Sequence, residues 1–74
     1  MITIKIGRRI KELRLSKHLS QEKLALIANI DRTYLAGVES GKRNISVRNL
    51  EKILSALGMD FSHFFQPFTN EGDI

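Results

Sequence analysis

One pattern occurs four times in this chain and fixes where most of its helices begin. A residue able to cap a helix (Ser20, Asp31, Ser46 or Asp60) is each time preceded by a large apolar residue. Another apolar residue follows four positions on, giving the pairs Leu19 and Leu24, Ile30 and Leu35, Ile45 and Leu50, and Met59 and Phe64. A capping oxygen accepts a first-turn N–H that has no helical partner, and the flanking apolar pair closes over that turn as a hydrophobic staple. Four such starts within 74 residues predict short helices joined by short turns.

The stretches between the starts agree. Ile6, Ile10 and Leu13 form a core-facing stripe on a first helix over about Thr3 to Lys17, with Arg8, Arg9 and Lys11 on its outer side, solvated or lying along phosphates. Leu24, Ile27 and Ala28 give the second helix one apolar face, and Asn29 supplies a residue tolerant of left-handed backbone to close it. Leu35 and Val38 define the inner side of the third. Leu50, Ile53, Leu54 and Leu57 mark a fourth over Val47 to Leu57, stopped by Gly58. A short fifth helix should run from Phe61 to about Phe65 and end before Gln66-Pro67, because proline disfavours helix in the residue before it. The expected fold is all-α: a compact five-helix domain over residues 1–68, with residues 69–74 as a flexible polar tail.

The second and third helices, joined by about three residues, have the layout of a helix-turn-helix. With Leu35 pointing inward and about 100° per residue, Thr33, Ala36, Gly37 and Ser40 point outward, Arg32 and Tyr34 lie on the flanks, and Glu39 turns inward. This outer face is small, polar and nearly free of acid, which suits close approach to another surface. Gly37 costs about 1 kcal/mol relative to alanine in a helix interior, and such an approach would account for it. Gly41 closes the helix, and Lys42-Arg43-Asn44 follows as a basic loop well placed to neutralise phosphates beside a helix lying in a DNA groove. Ser46 opens the fourth helix, whose free N–H groups are a further phosphate site, with Asn49 in the same turn.

The charge distribution fits a polyanionic partner. The formal net charge is +4, and residues 1–18 carry Lys5, Arg8, Arg9, Lys11, Arg14 and Lys17 against Glu12 alone. The C-terminal part differs: Met59, Phe61, Phe64, Phe65 and Phe68 crowd more large apolar groups into ten residues than so small a domain readily buries. A two-fold dimer seam over about residues 57–68, using Leu57, Met59, Phe61, Phe64 and Phe65, is the economical account. Two isolated histidines, no cysteine and no clustered carboxylates provide neither a nucleophile–base pair nor a metal set. No enzyme activity, metal, cofactor or small-molecule ligand is therefore expected. No apolar run approaches the roughly 18 residues of a membrane span, and no signal peptide opens the chain, so a cytoplasmic protein is expected.

Arg14-Leu15, Ser20-Gln21-Glu22-Lys23-Leu24-Ala25 and Val38-Glu39-Ser40-Gly41 resemble the lambdoid repressor and Cro-like helix-turn-helix family, over roughly Ile6 to Phe65. Within it, Asp31-Arg32-Thr33-Tyr34-Leu35 with Arg43-Asn44-Ile45-Ser46 is similar to the controller proteins of restriction–modification systems. The resemblance implies a lambda-repressor-like domain that binds a pseudo-palindromic double-stranded DNA operator as a homodimer, with Arg32 to Ser40 as the recognition helix. It implies base contacts from Arg32 and Thr33, joined by Ala36 on the same face. Backbone contacts would come from Gln21, Tyr34, Arg43, Asn44, Ser46 and Asn49, with Ser40 and Lys42 adjoining them. It also implies an internal ion pair between Arg14 and Glu39. The expected function is a bacterial or phage-derived transcriptional regulator, a controller acting on its own and the endonuclease promoter. A phage-type repressor, an antitoxin-type autoregulator and a protein-interaction module are the alternatives. Two departures from the family pattern stand out: Asn29 replaces the usual turn glycine, and Ala36-Gly37 leaves few side chains to read bases. Specificity would then rest on Arg32, Thr33 and DNA deformability.

Overall fold

The computed structural model describes residues 1–69, which form five α-helices: α1 Ile2–Ser16, α2 Gln21–Ala28, α3 Arg32–Glu39, α4 Val47–Leu57 and α5 Phe61–Thr69. The all-α expectation holds. The tail expected from Thr69 onward falls, but for Thr69 at the end of α5, outside the described residues.

Each of the four capped starts forms as the local chemistry dictates. Ser20 Oγ accepts from the Lys23 amide at 3.0 Å, Asp31 Oδ2 from Tyr34 at 3.0 Å, Ser46 Oγ from Asn49 at 3.1 Å and Asp60 Oδ1 from His63 at 2.7 Å. The apolar partners behave alike. Leu24, Leu35, Leu50 and Phe64 are core residues, and Leu19, Ile30, Ile45 and Met59 pack half-buried against them. Left-handed residues close α2 and α4, at Asn29 with φ 59° and Gly58 with φ 67°. Asparagine therefore does adopt the turn geometry that glycine would supply at less cost.

Helix α1 packs on α3, α2 packs on both α3 and α4, and α4 carries α5. Helices α1 and α3 come close at Gly7, buried in α1, where an added Cβ would collide with the Val38 carbonyl oxygen and lie 3.1 Å from that of Glu39. Apolar periodicity marks only the larger residues of α1 and gives no signal of this glycine.

Three expectations about the helices and the core need correction. Ile27 is 49 % exposed, and Ala25 takes its place in the core beside Leu24 and Ala28. An eight-residue helix has too few turns for apolar spacing to set its rotation, and small alanines let α2 sit close to two neighbours. Leu57 and Phe64 are only 2 % and 0 % exposed, filling the protein's own core, so neither is available to a dimer seam.

The third correction concerns α5, which continues through Pro67 to Thr69. Proline's fixed φ is compatible with helix, but it lacks the N–H that would bond the carbonyl four residues back. That carbonyl belongs to His63, and it accepts from Arg9 Nη2 at 3.1 Å, while Arg9 Nε donates to the neighbouring Phe64 carbonyl at 3.0 Å. A side chain from α1 thus supplies a donor where the proline has none.

Candidate nucleic-acid interface

Beneath the helix-turn-helix lies a buried polar clamp. Arg14 of α1 meets Glu39 of α3 in a two-point pair, Nε to Oε2 at 2.7 Å and Nη2 to Oε1 at 3.0 Å. Arg14 Nη1 also donates to the Leu19 carbonyl at 2.7 Å. From α2, Gln21 Nε2 donates to Glu39 Oε1 at 3.0 Å. Three helices are therefore fixed by one carboxylate and one guanidinium, and among the described residues no buried side-chain nitrogen or oxygen lacks a hydrogen-bond partner. Such completeness matters because a buried charge with one missing partner costs several kcal/mol. Gln21, expected on phosphate, has its amide turned to Glu39 and belongs first to this clamp.

The outer side of α3 carries Arg32, Thr33 and Ser40 exposed, with Tyr34, Ala36 and Gly37 half-buried. The Ser40 hydroxyl bonds back to the Gly37 carbonyl at 3.0 Å, capping the helix end. Directly beyond it, Gly41 with φ 80° turns the chain so that the Lys42 and Arg43 amides both donate to the Gly37 carbonyl, at 2.9 and 3.1 Å. A left-handed turn there needs glycine, since a side chain at that φ is strained and an added Cβ would lie 2.9 Å from Ile4 Cγ1.

The basic loop is consequently held against α3 rather than hanging free. Arg43 places its guanidinium 5.2 Å from the Tyr34 ring centroid, a cation–π stack. Its stem crosses Gly37, where an added Cβ would lie 2.5 Å from Arg43 Cγ. The missing side chain of Gly37 thus makes room for Arg43 of the same chain, a correction to the expectation that it served an outside surface. The Tyr34 hydroxyl donates to the Asn44 carbonyl at 3.4 Å, and Thr3 of α1 donates to Asn44 Oδ1 at 2.9 Å. Lys42, Arg43, Asn44 and Ser46 are exposed and Asn49 is half-buried. Thr3, 41 residues from Asn44, gave no local signal of this contact.

Away from this face, one surface pair stands out. His63 Nδ1 lies 2.8 Å from Asp60 Oδ1 on the surface. The His63 backbone N–H, then its ring, hold the Asp60 carboxyl below its ordinary value against a smaller opposing effect of burial. Among the described residues no three His, Cys, Asp or Glu side chains are grouped to hold a metal ion, and no helix is long and apolar enough to cross a membrane.

Known proteins resemble this chain in sequence and in fold. The helix-turn-helix family model matches residues 10–64. The control protein C.MunI of Mycoplasma sp is 45 % identical, over 95 % of this chain and 96 % of its own. The control protein C.BamHI of Bacillus amyloliquefaciens is 46 % identical over 78 % of this chain and 73 % of its own. The crystal structure of the wild-type restriction–modification controller protein C.Esp1396I superposes with a TM-score of 0.89 at 37 % identity, covering 96 % of this chain and 93 % of that one. The same controller has been solved as a tetramer on its natural 35 base-pair operator, with a TM-score of 0.88 to this chain. With its clamp, stapled helices and bare third helix, the chain belongs to the helix-turn-helix family, in the branch that contains the restriction–modification controller proteins.

Proposed function

We infer that this chain is a sequence-specific DNA-binding transcriptional regulator, not an enzyme. In our reading it is a controller protein that acts as a homodimer on a pseudo-palindromic operator at its own and the endonuclease promoter, in the bacterial cytoplasm. The observation that carries the inference is the exposed, nearly acid-free face of α3 with the Lys42–Asn44 loop pinned beside it on a rigid buried clamp. A helix presented this way enters the major groove, and the basic loop at its end meets the flanking phosphates.

Roles follow from position. Arg32 and Thr33, exposed at the N-terminal end of α3, read base edges, with Ala36 offering an apolar contact to a thymine methyl. Tyr34, Ser40, Lys42, Arg43, Asn44, Ser46 and Asn49 contact the sugar–phosphate backbone. Arg43 reaches it from its stacked position on Tyr34, so its guanidinium arrives with its orientation already restricted. Of the expected dimer residues, Met59, Phe61 and Phe65 remain near the surface and form the seam together with Phe68. Two α3 helices related by that seam address half-sites about one helical turn, roughly 34 Å, apart.

Footprinting with the purified chain on DNA upstream of its own gene tests this reading. A protected, two-fold symmetric site that survives competitor DNA is the expected result. Protection no stronger than on random duplex would overturn it.

A further inference from the structure

We propose that Arg9, outside both the DNA-facing surface and the apolar seam, is the positioning residue that sets α5 and thereby the strength of the dimer. The inference rests on the dimeric reading above. It begins from Pro67, which removes the donor owed to the His63 carbonyl inside α5. Arg9 of α1 donates to that carbonyl at 3.1 Å and to the Phe64 carbonyl at 3.0 Å. The same guanidinium lies 5.9 Å from the Phe64 ring centroid.

Arginine suits the task because Nε and Nη2 lie in one plane at fixed separation, matching two successive carbonyls, whereas a lysine ammonium is a single point donor. Phe64, held in this way, is the inner member of an aromatic cluster. It meets Phe65 edge-on at 4.9 Å and Phe68 at 6.0 Å, and Phe65 meets Phe68 at 5.1 Å. Phe65 and Phe68 are half-buried and Phe61 is 39 % exposed, so the partner-facing side of α5 takes its placement from the residue beneath. The helix that carries Arg9 also holds α3 through Gly7 and Arg14. One rigid element therefore links the reading helix to the seam.

The test is a cycle on the full chain: wild type, Arg9→Met, Pro67→Ala and the double variant. Sedimentation equilibrium reads the dimer, and amide hydrogen exchange reads α5. Methionine in place of Arg9 keeps the apolar stem and removes the donors. Alanine in place of Pro67 restores the N–H that the His63 carbonyl lacks. Arg9→Met should weaken the dimer about tenfold with Pro67 present and about twofold in the Pro67→Ala background, and should speed exchange in α5 before α1 or α3. Equal losses in both backgrounds, or none in either, would overturn the proposal. If Arg9→Met is unfolded by circular dichroism, Arg9→Lys supplies the same comparison, with a loss of about threefold when Pro67 is present and none in the Pro67→Ala background. A wild type that stays monomeric defeats the dimeric reading and with it the seam role. The exchange measurement then still decides, separately, whether Arg9 holds α5.

Discussion

The Arg14 guanidinium closes on the Glu39 carboxylate at 2.7 Å, with side chains 8 % and 2 % exposed, and this pair sets α3 on the domain. Removing one partner strands the other charge in a buried site. Glu39→Gln should therefore destabilise the fold by about 3–5 kcal/mol, most of the stability of so small a domain. Urea unfolding followed by circular dichroism measures it, and a loss under about 1 kcal/mol would mean that the pair behaves like a surface one.

Gly7→Ala runs against helix propensity. In an exposed helix the change should stabilise by about 1 kcal/mol. Here the new methyl meets the Val38 and Glu39 carbonyl oxygens, which are backbone and cannot swing aside. A net loss of about 1–3 kcal/mol is expected, as for overpacking elsewhere. A thermal melt distinguishes this from a gain.

On DNA, Arg32→Ala should cost about 1–3 kcal/mol at the operator and little on random duplex, because base reading and phosphate binding are separable. Arg43→Ala should weaken both, and reduce the slope of log affinity against log salt by about 1. Fluorescence anisotropy at several salt concentrations reads both effects. An unchanged slope would take Arg43 off the phosphates.

Asp60 predicts a small acid-side effect. Its carboxyl sits below the ordinary value of 3.8, first because the His63 backbone N–H bonds the charged form. A carboxyl lowered on folding contributes stability that is complete above its unfolded value and fades as pH falls through the lower folded one. Asp60→Asn should thus flatten the dependence of the urea midpoint on pH below about 4 while keeping a cap. An unaltered acid limb would show that Asp60 does not contribute to it.

The starts of α2 to α5 were legible because caps and staples act within five residues, and so was the span of α4, bounded by Ser46 and Gly58. The outward direction of α3 was legible too, since Leu35 and Val38 fix its inner side. Ile27 shows where such reading fails: apolar spacing on a two-turn helix fits more than one rotation, and only the neighbours choose. Pro67 shows it again, because its local preference is to end a helix, and a side chain 58 positions earlier in the chain lets the helix continue.

By itself, then, the sequence determined the elements, their order and the surface on which arginines and small residues gather, all consequences of interactions between near neighbours. The tertiary structure decided what Gly7 and Gly37 make room for, that Gln21 turns inward, that Phe64 and Leu57 are core, and that Arg9 holds α5. Each of those depends on which helices meet and at what distance, and a one-dimensional pattern carries no term for that.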